Sequence, residues 1–137
     1  MWAGQNIVIQ KILLKNYPMK KVEYDNQPAR LQAVGNGSHL YRWGIEQVKK
    51  EGSEGISDVT AWQCFEVLVW NNPTPNSVTE AAIAAMWPPT IEAKLINDYN
   101  AAKEGLLPKE FKAAYLEFIT ERKALKETIQ AYFNESI

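Results

Sequence analysis

Apolar positions recur at every second residue in the first half of the chain and at every third or fourth in the second half. The densest alternation runs from Arg30 to Trp70. Arg30-Leu31-Gln32-Ala33-Val34 leads into Gly35-Asn36-Gly37-Ser38, and His39-Leu40-Tyr41-Arg42-Trp43-Gly44-Ile45 leads out. Asn36-Gly37 between two alternating runs is a strong hairpin signal, because glycine adopts and asparagine tolerates the positive φ of a tight reversal. Parity then selects the loop. A three-residue loop opposes Leu31 to Tyr41 and Ala33 to His39, gathering Leu31, Ala33, Tyr41, Trp43 and Ile45 on one face, whereas a two-residue loop mixes Leu31 with Arg42. The odd-length loop, with a left-handed glycine forming a bulge, is therefore expected, and Gln32 and Arg42 are expected on a solvated face.

Trp62-Gln63-Cys64-Phe65-Glu66-Val67-Leu68-Val69-Trp70 has a different character. Its alternating sets, Trp62/Cys64/Leu68/Trp70 and Phe65/Val67/Val69, are both apolar apart from Glu66. That pattern predicts a strand in the middle of the sheet. Lys49 to Ser57, with Gly52 and Gly55 among charges, reads as a loop between paired strands. Lys21 to Asp25 reads as a short strand with Val22 and Tyr24 on one side, ended by Asn26-Gln27-Pro28.

Two prolines in Asn71-Asn72-Pro73-Thr74-Pro75-Asn76 stop the strand. Ser77-Val78-Thr79-Glu80 has capping-box spacing and predicts a helix that must end by Trp87-Pro88-Pro89. Thr90 is the expected cap of a second helix, with Ile91, Leu95, Tyr99 and Ala102 on one stripe and Gly105 as terminator. Pro108 suits the first turn of a third helix, Lys109 to Phe133. There Phe111, Tyr115, Phe118, Arg122, Leu125, Ile129 and Tyr132 follow the steps of a heptad seam. A helix of this length needs that stripe covered. Packing against the second helix in an antiparallel hairpin satisfies it within one chain; self-association through the C-terminal helix is the rival, in which Arg122 would sit awkwardly unless it snorkels or finds an acidic partner.

Strands followed by helices predict an α+β fold: an N-terminal antiparallel sheet of three to four strands packed against about three C-terminal helices, the last one long. At 137 residues the expectation is one α+β domain over residues 19–137, with the sheet in 19–70 and the helices in 77–134. Residues 1–18 carry the apolar runs Ile7-Val8-Ile9 and Ile12-Leu13-Leu14, broken by Lys11. They have the features of neither a secretory signal nor a membrane span, and Met19-Lys20-Lys21 makes an N-terminal extension the competing reading to an edge strand or short helix.

Charge and chemistry narrow the function further. A net charge of −1 and the absence of a basic cluster give no argument for nucleic acid. The one cysteine, Cys64, cannot close an internal disulfide, and its apolar strand suggests a buried thiol in a reducing, cytoplasmic setting. The single histidine, His39, leaves no two-histidine metal site, and neither catalytic residues, metal nor cofactors are expected. Cys64 with His39 as nucleophile and base is the only enzymatic pairing on offer, and Cys64 lacks the electropositive surroundings that make a thiolate. The Gly35 to Ser38 turn lacks the lysine and helix of a phosphate loop. Tyr41, Trp43, Trp62 and Trp70 are the candidate interaction residues, either as core aromatics or as a platform for sugars or bases.

The run Gly35-Asn36-Gly37-Ser38-His39-Leu40-Tyr41-Arg42-Trp43 resembles the glycine-rich turn, hydrophobic strand and closing tryptophan of small proteins encoded among the tail genes of temperate phages and prophages. Pro73-Thr74-Pro75 followed by Ser77-Val78-Thr79-Glu80 is similar to the connector and capped helix of that group. The chain departs from it at Gly44, where a polar residue is usual, and in the extra strand from Trp62 to Trp70. The resemblance covers about a third of the chain. It implies a tail-associated or assembly accessory role through another phage tail or assembly protein, in the cytoplasm or on the virion, without catalytic positions. A small-ligand or glycan-binding module built on the tryptophan face is the alternative.

Overall fold

The computed structural model describes residues 19–50 and 59–135. It is an α+β chain. Strands β1 (Val22–Tyr24), β2 (Leu31–Ala33), β3 (Ser38–Lys50) and β4 (Val59–Trp70) precede helices α1 (Pro75–Met86), α2 (Pro89–Lys103) and α3 (Glu110–Glu135). It divides into two compact units, with Met19–Ala82 in one and Ile83 onward in the other. The expectations for residues 1–18 and for the loop at 51–57 lie outside the described residues.

The first unit is a four-stranded antiparallel sheet in the order β1-β4-β3-β2. β4 lies between two neighbours, as its doubly apolar pattern predicts. The hairpin register is the expected one: Leu31 faces Tyr41 and Ala33 faces His39. The Val34 amide donates to the Ser38 carbonyl at 3.0 Å, closing a three-residue loop. Gly35 and Gly37 take the positive φ values, 92° and 86°, that the reversal requires. Between them, the Asn36 side-chain oxygen accepts from the Ser38 amide at 3.2 Å and from its hydroxyl, so asparagine serves here by bonding the backbone two residues on.

Two features differ from the sequence expectation. β3 and β4 are longer at their distal ends, so Lys49 and Lys50 belong to a strand. The β3–β4 register also shifts between Trp43, opposite Phe65, and Glu46, opposite Gln63. One extra residue is accommodated at Gly44, whose φ is 63°. The bulge removes Ile45 from the face of Tyr41 and Trp43 and puts Glu46 there. An added Cβ at Gly44 would meet the Phe65 ring at 3.4 Å, so conformation and space both favour glycine.

α1 begins two residues earlier than Ser77. Thr74 is its cap: the Ser77 amide donates to the Thr74 hydroxyl oxygen at 3.0 Å, while the Thr74 amide donates to the Ser77 hydroxyl oxygen at 2.9 Å. This is the reciprocal capping box displaced to Thr74 and Ser77, with Pro75 at the first helical position, where its missing N–H is no loss.

In the second unit α2 and α3 pack together as a helical hairpin. α2 is capped by Pro88 without a side-chain hydrogen bond, and Thr90 lies inside the helix. Its end follows the expected glycine logic: Gly105 has φ 78°, its amide donates to the Ala102 carbonyl at 3.1 Å, and the Leu106 amide donates to the Ala101 carbonyl at 2.9 Å. Of the α3 seam, Phe111, Phe118, Leu125 and Ile129 are buried. Tyr115 packs against Tyr99 in a tilted pair with ring centroids 4.7 Å apart, and Phe118 meets Trp87 edge to face at 5.4 Å. Arg122 is half-buried, and its Nε has no hydrogen-bond partner.

Candidate functional site

The β3–β4 register sorts the strand residues onto two faces. The first face carries Tyr41, Trp43, Phe65, Val67 and Val69. Trp43 stacks on Tyr41 at 6.0 Å and on Phe65 at 5.7 Å, making a three-ring row. The Arg30 guanidinium lies over Tyr41 at 5.7 Å and the Lys21 ammonium over Phe65 at 5.4 Å, so each end of the row meets a cation. Tyr41 and Trp43 are buried.

The second face is organised around Arg42, which is buried rather than solvated. Its charge is met by a carboxylate directly across the ladder. Nε donates to Glu66 at 2.9 Å, Nη1 to the Ala29 carbonyl at 2.9 Å and Nη2 to the Tyr24 hydroxyl oxygen at 3.0 Å. Tyr24 in turn donates its O–H to Glu66. Burial disfavours the guanidinium's charge, but the bonds to Tyr24 and Glu66 outweigh it and raise the Arg42 pKa. Burial, followed by the hydrogen bond to Glu66, pushes the Tyr24 phenol above its ordinary range. The network ties β1 and the Ala29 backbone to the two central strands, with each polar group answered by another.

Cys64 is fully buried on this second face. Its thiol is pushed up by burial and by Glu66, the direction opposite to activation. His39, opposite Val69, belongs to the first face, and its Nδ1 is buried without a hydrogen-bond partner. Thiol and imidazole therefore stand on opposite sides of the sheet and form no nucleophile–base pair. Among the described residues no three of His, Cys, Asp and Glu gather where they could hold a metal ion. No described helix is long and apolar enough to cross a membrane.

Toward the Gly35–Gly37 turn the second face changes from polar to apolar. Leu68 stands across from Leu40 and Trp70 across from Ser38, with Val34, just past the end of β2, bonded through its amide to the Ser38 carbonyl. Trp70 is 58% exposed, Val34 47% and Leu68 41%. Large apolar side chains gathered at one end of a sheet face form a patch suited to recognition. The four sequence candidates are thus divided: Tyr41 and Trp43 are on the first face, and Trp62 and Trp70 are on the second. Of these, Trp70 offers the broadest open surface. Val34 and Leu68 were not singled out by sequence reasoning, because their exposure depends on how the sheet is covered.

Comparisons with family models, with curated proteins and with solved structures give no match.

Proposed function

We propose that this chain is a non-enzymatic accessory protein that acts by binding another protein through the apolar end of its second sheet face. The observation that carries this reading is the exposed set Trp70, Leu68 and Val34, beside a polar centre whose groups are committed to one another. Central exposed aromatics flanked by aliphatic side chains are the usual anchors of protein recognition. The setting is the one implied by the phage-like turn and connector: a tail-associated or assembly role with another tail or assembly protein as partner. The test is capture by the tagged chain from cells carrying the parent element. A protein encoded beside this gene should be retained by the native chain and lost on Leu68→Ser with Trp70→Ser. Metabolic neighbours, or capture unaffected by the substitutions, would contradict the reading.

The open Trp70 indole also favours a second reading, a glycan- or small-ligand-binding module, since an exposed ring can stack on a sugar face. A thermal-shift screen with sugars and nucleotides separates the two.

A further inference from the structure

The turn that sets the register of the sheet also brings together the parts of a reaction. Of the chain's asparagines only Asn36 is followed by glycine. Both residues are exposed, and a Cβ added at Gly37 would meet nothing within 4 Å, so no side chain shields the Gly37 nitrogen. The bond from the Ser38 amide to the Asn36 side-chain oxygen, at 3.2 Å, closes a ring of atoms that encloses the Gly37 amide and folds the side chain back over it. Among the described residues neither the Gly37 N–H nor the Asn36 side-chain NH₂ is committed to a hydrogen bond.

Ser38 aims two donors at one oxygen. Its amide and its hydroxyl both bond Asn36 Oδ1, and Ser38 is buried, so the pair works with little competition from water. Oδ1 is where negative charge develops when the side-chain carbonyl is attacked. Donors already in place there strengthen as that charge grows and favour the charged intermediate over the neutral amide. Two further bonds hold the frame still: the Val34 amide on the Ser38 carbonyl and the Asn71 amide on the Gly37 carbonyl, each at 3.0 Å. Reacting groups fixed side by side in one chain meet without the entropy loss of an encounter.

We propose that Asn36-Gly37 is a self-modifying site, at which the folded turn promotes conversion of Asn36 to aspartate and isoaspartate through a cyclic imide. The Gly37 nitrogen attacks Asn36 Cγ. A new N–C bond forms, the Cγ–Nδ2 bond breaks, and the side-chain nitrogen leaves as ammonia; the proton that Gly37 gives up to solvent is returned by solvent to the leaving nitrogen. Water then adds to either carbonyl of the imide and opens the ring, and nothing is oxidised or reduced. Opening at one carbonyl leaves an aspartate, whose carboxylate can keep both bonds from Ser38. Opening at the other routes the main chain through the former side chain and adds one carbon to it. In a three-residue loop whose parity sets the register, that addition works against the closure between Val34 and Ser38. The site needs only the turn, so its failure would leave the partner-binding reading intact.

The test follows the full chain at mildly alkaline pH, folded and in guanidinium chloride, by peptide mapping with fragmentation that separates aspartate from isoaspartate. In the folded chain Asn36 should convert ahead of every other asparagine, and at least about tenfold faster than in denaturant. Ser38→Ala removes the hydroxyl donor and should slow the folded rate at least about tenfold, while its rate in denaturant matches the native chain's. Circular dichroism checks that this variant keeps its fold. Asn36→Asp should also fold and should release no ammonia from the turn. A folded chain that converts no faster than the denatured one would overturn the proposal, as would a folded Ser38→Ala variant that converts at the native rate. Should Ser38→Ala not fold, the native chain with and without denaturant decides alone.

Discussion

The two faces of the sheet are made from the same strands and solve burial in opposite ways. On the first, Tyr41, Trp43 and Phe65 stack in a row whose charged neighbours sit at its ends. On the second, a buried arginine is held by a carboxylate, a phenol and a carbonyl, and the apolar residues stand to one side at the turn end. A row of rings tolerates small changes by repacking. A buried charge does not, because removing one partner strands the others. The row and the polar centre are therefore where a substitution should cost most, while Leu68 and Trp70 stay exposed.

The largest effects should come from breaking either interior. Trp43→Ala should cost about 3–5 kcal/mol by urea unfolding, through lost contact and a residual cavity. Arg42→Ala should cost about 3 kcal/mol, near the low end for a broken buried pair because Glu66 is 21% exposed and its carboxylate reaches water. The joint replacement Arg42→Met with Glu66→Leu should recover much of that loss. If the double variant were as unstable as Arg42→Ala, the network would be holding the strands in a way that apolar packing cannot replace.

Tyr24→Phe sharpens the comparison at a smaller scale, costing about 1–3 kcal/mol by removing one hydrogen bond to Glu66 and one from Arg42. Gly44→Ala should cost about 1–2 kcal/mol for the left-handed conformation alone. Both are read from the shift in urea midpoint. The first also changes the alkaline limb. The folded pKa values of Cys64 and Tyr24 lie above their ordinary values of 9.0 and 10.0, so the folded state holds these protons more tightly than the unfolded chain. Their contribution is complete below those values and is lost as pH rises through them toward the folded pKa values. The melting temperature should fall above about pH 9, and Tyr24→Phe with Cys64→Ala should flatten that fall. Smallest of all, Leu68→Ser and Trp70→Ser should each cost about 1 kcal/mol, since both side chains are only partly covered.

Much of this frame was legible in the residues. Only one loop parity kept Leu31 opposite Tyr41, and β4 was placed in the interior because both its alternating sets are apolar. A charged strand residue reads as solvated, but Arg42 is buried, and its partner Glu66 is 24 residues away, beyond any local spacing rule. Yet the signal existed: once Trp43 is set opposite Phe65, Arg42 must face the one charge in the β4 run. Gly44 was likewise a visible marker, an isolated glycine in a strand pattern, and it accounts for the displacement of Ile45. Thr74 has no glutamate or glutamine three residues on, so the serine–glutamate spacing at Ser77 is the stronger local signal. The apolar patch was the least legible feature. Leu68 and Trp70 are ordinary strand residues and Val34 an ordinary apolar residue before a turn, and only their exposure sets them apart.

The division of the second face into a locked centre and an open end is tested most directly by partner capture with the Leu68→Ser/Trp70→Ser variant, carried out under conditions where its urea midpoint matches that of the native chain. The account predicts a folded protein that no longer retains the partner. Retention at the native level by that variant would contradict it.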